Sequence, residues 1–158
     1  MSCCSVTFSN RNELGGFISL SRSWVGIFFT IVAVFYAFIG ILGMLYVRFR
    51  LWFGVTSVAY VIVGLFFIVY TVSPYVYELP THTCPFCIIQ KEYNYIGYAF
   101  YITLLLGGFF GLRSGFSELF LGYDGRKDIG WALGFGAIFV ILSLRYTLGY
   151  YLINGVWL

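Results

Sequence analysis

SWVGIFFTIVAVFYAFIGILGMLYV, residues Ser23–Val47, contains no charged side chain and stops at Arg48. A helix needs about 20 predominantly apolar residues to cross the hydrocarbon core of a bilayer, and this run supplies them. It is too long for the apolar core of a cleavable signal peptide, and no small-x-small cleavage site follows it, so a permanent membrane helix is expected.

The same test locates three more spans. Leu51–Tyr77 carries no charge and is interrupted at Ser73-Pro74. Tyr93–Leu112 carries none and ends at Arg113. Ile129–Leu144 is uncharged but short, and reaches spanning length only by including Arg145 and continuing toward Leu158. The expected fold is all-α: a four-helix transmembrane bundle forming one domain over residues 1–158, with spans near 24–47, 52–73, 93–112 and 130–154.

Composition agrees. Of the 158 residues 61% are hydrophobic and 9% are charged, with a mean hydropathy of +0.91. Soluble domains carry about 25% charged residues because something must face water. Only residues 1–22 and 113–129 are sizeable polar stretches, and neither could bury a core of its own. The net charge of +3 is spread over loops, which does not suit nucleic acid as a partner. The bilayer is the expected surrounding.

Four spans put the 48–50 and 113–129 loops on one side, and both termini with the 74–92 loop on the other. Arg48, Arg50, Arg113, Arg126 and Lys127 belong to the first side. Arg11, Arg22 and Lys91 belong to the second, joined by Arg145 if it reaches the C-terminal end. The positive-inside rule then places the first side in the cytoplasm of a cell inner membrane. With an even number of spans, Cys3, Cys4, Cys84 and Cys87, which are all the cysteines, share the other face. Disulfide chemistry is permitted if that face is extracytoplasmic.

The chemistry-bearing stretch is ELPTHTCPFCIIQKE, Glu78–Glu92. Pro74 and Pro80 keep it from being helical throughout. The sequence places Cys84 at the start of the third helix with Pro85 in its first turn, where a missing N–H costs nothing. A thiolate there would be stabilised by unpaired N–H groups and the helix dipole, lowering its pKa. Cys87 would lie on the same turn, close enough to form a disulfide. Lys91, four residues after Cys87, would share its helix face and favour a thiolate or a quinone oxygen. His82, the only histidine, reads most simply as a solvated loop residue. Its sharper role would be to deprotonate or stabilise Cys84.

Cys-Pro-x-Cys-Ile-x-Gln-Lys at 84–91 resembles the helix-start motif of DsbB, the four-helix membrane oxidase that passes electrons from a periplasmic dithiol to quinone. More broadly it resembles the vitamin K epoxide reductase group. The resemblance implies a membrane thiol–disulfide oxidoreductase with Cys84 and Cys87 as the quinone-proximal pair. Lys91 would stand where the DsbB motif usually has an arginine near the quinone. Those families carry a second cysteine pair for the soluble thiol partner, and here only Cys3 and Cys4 remain for that role. The motif also precedes the third span rather than the second.

A second chemistry fits the same residues. His82, Cys84 and Cys87 offer an imidazole and two thiols within six residues, a set suited to copper, zinc or mercury ions. Cys3 or Cys4 could complete or hand over such an ion, making the chain a metal-binding transporter or delivery protein. A third reading is an accessory subunit of a larger membrane complex, with cysteines that do no chemistry.

Three lesser features complete the sequence. Arg145, the one charge inside an expected span, is read as snorkelling to the interface. Gly107-x-x-x-Gly111 and Gly130-x-x-x-Gly134 have the spacing of close helix contacts. Tyr123-Asp-Gly-Arg126 marks a solvated turn in the Arg113–Asp128 loop, with a short surface helix expected near Ser117–Leu121.

Overall fold

In the computed structural model, which describes residues 14–78, 84–117 and 124–155, with side chains from Trp24 onward, the chain is an all-α bundle. Its helices are α1 (Leu14–Leu45), α2 (Phe49–Phe67), α3 (Ser73–Tyr77), α4 (Ile96–Phe116) and α5 (Arg126–Asn154). A π-helical turn, Ile68–Val72, joins α2 to α3. Among the described residues four stretches are long and apolar enough to cross a membrane: Trp24–Leu45, Phe49–Tyr77, Ile96–Phe116 and Arg126–Asn154. The outward surface is itself apolar. Ile31, Val34, Phe38, Leu45, Val55, Phe109, Ile141 and Leu152 all face out. A surface of this kind is stable against lipid and not against water. Trp24, Trp52 and Trp131 are also exposed, near span ends where amphipathic rings sit well at the headgroups. This is an integral membrane protein.

The second span runs further than its sequence suggests. Pro74 was expected to end it, because proline lacks an N–H and its ring crowds the carbonyl four residues back. The chain instead widens one turn, with the Ser73 N–H bonded to the Ile68 carbonyl five residues earlier. That wider turn admits Pro74 near the start of α3, and the helix continues to Tyr77. It stops at Glu78, which takes a left-handed conformation at φ 56°. The fourth span begins at Arg126 rather than near 130. The Arg126 N–H reaches Asp124 Oδ1 at 3.3 Å, and the Ile129 N–H bonds the Gly125 carbonyl at 3.1 Å. The expected solvated turn is thus the lead-in to α5. The surface helix expected near Ser117–Leu121 lies, apart from Ser117, outside the described residues.

Packing follows chain order. α2 lies between α1 and α4, α4 packs along α5, and α1 touches α5 more sparsely. At one end of the α2–α4 contact the backbones themselves touch. A Cβ on Gly115 would stand 3.0 Å from the Gly54 Cα, and one on Gly54 would stand 3.2 Å from the Gly115 Cα. Of the two spaced glycine pairs, Gly107 faces α5 and Gly111 faces Ser57 of α2, so that pair serves two neighbours. A Cβ on Gly130 would meet only the end of Met44, and one on Gly134 would meet nothing within 4 Å. The centre is aromatic: Tyr36 stacks on Tyr60 at 4.4 Å and on Phe53 at 4.8 Å. Both phenols are satisfied by helix carbonyls, Tyr36 donating to Gly107 and Tyr60 to Gly136.

One end of the bundle is closed by charge. Arg50, 4% exposed, donates from Nε to the Gly43 carbonyl at 3.2 Å and pairs through Nη2 with Asp124 at 2.9 Å. Arg113 Nε lies 3.2 Å from the buried Asp128 carboxylate. These contacts tie the α1–α2 corner and α4 to the start of α5. The CPFC segment sits at the opposite end, where Tyr75 meets Tyr150 of α5 edge-on at 5.5 Å. Arg145 is exposed on α5, on the half leading to that end.

Candidate redox site at the CPFC turn

Between α3 and α4 the chain makes two short 3-10 turns, Cys87–Ile89 and Lys91–Tyr93. Gln90 is extended between them, with φ −77° and ψ 161°. Asn94 and Tyr95 are both left-handed, at φ 52° and 57°, a conformation non-glycine residues adopt only when the surroundings hold them. Here the Tyr93 and Tyr95 N–H groups both bond the Gln90 carbonyl, at 3.1 and 3.3 Å. This corner turns the chain into α4 and folds the cysteines back over it.

Two sequence expectations are corrected by this geometry. Cys84 does not begin a spanning helix, because α4 starts only at Ile96. Helix-dipole stabilisation of its thiolate therefore does not apply. Lys91 does not share a helix face with Cys87, because the extended Gln90 breaks the helical register between them. Lys91 is exposed and is not among the groups that act on the Cys84 thiol.

A different device serves Cys84. Burial alone would raise its pKa. The Cys87 thiol and the backbone N–H groups of Phe86 and Cys87 outweigh that effect and hold Cys84 below the ordinary thiol value. Donors aimed at the sulfur stabilise the charged form. The Cys84 and Cys87 sulfurs lie within interaction distance of each other. They differ in access: Cys84 is partly exposed, whereas Cys87 is 5% exposed. Phe86 between them is 72% exposed and projects from the motif. Ile88, fully buried, presses the turn onto α4 at Gly97. A Cβ there would lie 2.7 Å from Ile88 Cγ2 and 2.9 Å from its carbonyl oxygen.

Two phenols hold the turn, and sequence reasoning missed them. Tyr77, the last residue of α3, donates to the Cys84 carbonyl at 2.6 Å. Tyr101, in the second turn of α4, donates to the Pro85 carbonyl at 3.0 Å. Tyr77 is 6% exposed and packs edge-on against Tyr93 at 4.6 Å. In a chain with 14 tyrosines, nothing in the sequence distinguishes these two.

His82, Cys3 and Cys4 lie outside the described residues, so the copper, zinc or mercury set and the second cysteine pair do too. Among the described residues no three His, Cys, Asp or Glu side chains cluster to hold a metal ion. A cavity of about 620 Å³ opens between α1, α2 and α5, bounded by Phe29, Tyr36, Tyr60, Leu133 and Val140. No motif residue lines it. The hydroxyls on its wall are bonded to helix carbonyls, so it offers apolar volume and no free polar group. No protein family, curated protein or solved structure matches the chain.

Proposed function

We propose that the chain is a membrane thiol–disulfide oxidoreductase working through Cys84 and Cys87, with a membrane quinone as electron acceptor. The observation that carries this reading is the asymmetry of the pair: a partly exposed thiol with lowered pKa beside a buried one. Exchange chemistry needs that asymmetry. A low-pKa sulfur is the better leaving group when the donor's second thiol attacks the mixed disulfide, and a shielded neighbour confines the first attack to the exposed sulfur.

In the oxidised state a thiolate of a donor dithiol attacks Cys84 Sγ of the Cys84–Cys87 disulfide, and Cys87 departs as the thiolate. The second donor thiol, after losing its proton, attacks the donor sulfur of the mixed disulfide and expels Cys84 as thiolate. The donor leaves as a disulfide, and two electrons and two protons now reside on the CPFC dithiol. Quinone accepts both electrons and both protons, giving hydroquinone and restoring the Cys84–Cys87 disulfide. The DsbB-like order of residues 84–91 supports quinone as that acceptor. Cys3, Cys4 or an extracytoplasmic thiol protein would supply the donor dithiol. The basic residues at the opposite end support an inner-membrane location with the CPFC turn outside. Lys91 is the exposed cation beside the turn that would face a quinone oxygen.

Cys87→Ala tests the exchange step. Given a small disulfide such as oxidised glutathione, the Cys84 thiolate should attack one sulfur and expel the other as thiolate. With no Cys87 to reverse the step, the mixed disulfide should accumulate by intact mass, while Cys84→Ala should accumulate none. Equal trapping by both variants, or trapping by neither, would remove the assignment.

A further inference from the structure

The thiol-exchange reading assigns roles to the cysteines and leaves open what shapes the turn between them. We propose that Tyr77 and Tyr101 are positioning residues of this site, holding the Cys84 and Pro85 carbonyls so that the next two amides converge on the Cys84 sulfur. The inference rests on the exchange reading for its purpose, but its geometry stands apart from it.

A four-residue turn has few ways to point two successive N–H groups at one atom. The peptide planes that carry the Phe86 and Cys87 N–H groups begin at the Pro85 and Phe86 carbonyls. Fixing the Pro85 carbonyl fixes the plane that carries the Phe86 N–H, and fixing the Cys84 carbonyl fixes the plane just before it. Tyr77 grips one carbonyl at 2.6 Å from the end of α3, and Tyr101 grips the next at 3.0 Å from α4. The other side of the turn is closed by the Ile89 N–H on the Phe86 carbonyl at 3.2 Å and the Gln90 N–H on the Cys87 carbonyl at 3.0 Å. The two phenols thus come from different helices and clamp successive carbonyls of one loop.

The phenols have another connection to the sulfurs. Tyr77 interacts electrostatically with both Cys84 and Cys87, and Tyr101 with Cys84. With Cys87, these are titratable groups that interact with Cys84. The Ser73 hydroxyl and the Ile88 backbone N–H lie beside the Tyr77 phenol. The π turn before Ser73 sets the rotation of α3, so the widened turn and the placement of Tyr77 belong to one arrangement. A regular helix through residues 68–72 would rotate Tyr77 away from the loop.

The test uses the full chain, reduced, in lipid nanodiscs. The rate of Cys84 alkylation by iodoacetamide is followed across pH by peptide mass spectrometry. Tyr77→Phe and Tyr101→Phe each remove one oxygen and little volume. Each should move the half-point of the rate profile toward the ordinary thiol value and slow alkylation at neutral pH roughly three- to tenfold, because the thiolate is the reacting form. The double variant should exceed either single. Tyr98→Phe, at an exposed position on α4, is the control and should change nothing. An unchanged profile in the double variant would overturn the proposal, and so would a shift matched by the control. Should Tyr77→Phe fail to fold, Tyr101→Phe, which is less buried, decides alone. Failure of the exchange reading is separable: Cys87→Ala would then trap no mixed disulfide, although the alkylation profile still responds to the phenols.

Discussion

Cys84 can be reached from outside the protein, whereas Cys87, three residues on, is packed into the core beside Ile88. Reactivity should follow that difference. In reduced protein a small alkylating reagent should modify Cys84 at least about tenfold faster than Cys87. The sign of the pH dependence follows from the lowered Cys84 pKa. Its rate rises with pH as thiolate forms, and levels off at a lower pH than for an unperturbed thiol near about 8.5. Peptide-resolved alkylation between pH 5 and 10 checks both statements. Faster labelling of Cys87 would contradict the division of labour.

Sidedness gives a second prediction. A membrane-impermeant maleimide added to intact cells after gentle reduction should label Cys84. Labelling only after lysis would put the turn in the cytoplasm, where glutathione and thioredoxin keep thiols reduced.

The closed end of the bundle makes a third. Arg50 is buried and bonds both Gly43 and Asp124, whereas the Asp124 side chain is 71% exposed. Asp124→Asn should cost about 1 kcal/mol or less, because an exposed partner contributes little through solvent. Arg50→Ala should cost more, about 1–3 kcal/mol, because it leaves the Gly43 carbonyl without its donor. Thermal unfolding in one detergent measures both. Equal losses would show that the carboxylate, not the carbonyl, governs the contact.

At the α2–α4 crossing, Gly115→Leu should destabilise the fold by about 1–3 kcal/mol or more, since overpacking a tight contact forces backbones apart. Gly134→Leu adds the same volume where a Cβ would meet nothing within 4 Å and should be close to neutral. The same unfolding assay separates the two.

The contrast between these glycines illustrates what the sequence could reveal. Four spans were legible because hydrocarbon excludes charge, and the charge-free runs mark them without any knowledge of packing. Their ends were not. Arg50 lies inside the second span because Gly43 and Asp124 satisfy it, and Pro74 lies inside it because a π turn makes room. Neither partner is visible from local residues. The spacing of Gly130 and Gly134 matched that of Gly107 and Gly111, yet only the latter pair meets two neighbouring helices. At the site, the two cysteines stood out by spacing alone. The dipole argument for Cys84 and the shared face for Lys91 both assumed continuous helix through residues 84–95. Gln90, Asn94 and Tyr95 break it. Tyr77 and Tyr101 act on backbone carbonyls, which carry no residue identity, so no motif announces them.

The most direct test of the account is a redox cycle in a Cys3→Ser/Cys4→Ser background, which isolates Cys84 and Cys87. The reduced protein is placed in nanodiscs with and without a short-chain quinone, quenched in acid, and scored for the Cys84–Cys87 disulfide by mass spectrometry. The account predicts that quinone restores the disulfide, with one hydroquinone formed for each. It also predicts a reduction potential well above about −300 mV, the level below which structural disulfides typically lie. A pair that stays reduced in the presence of quinone, or a potential at the structural level, would contradict it.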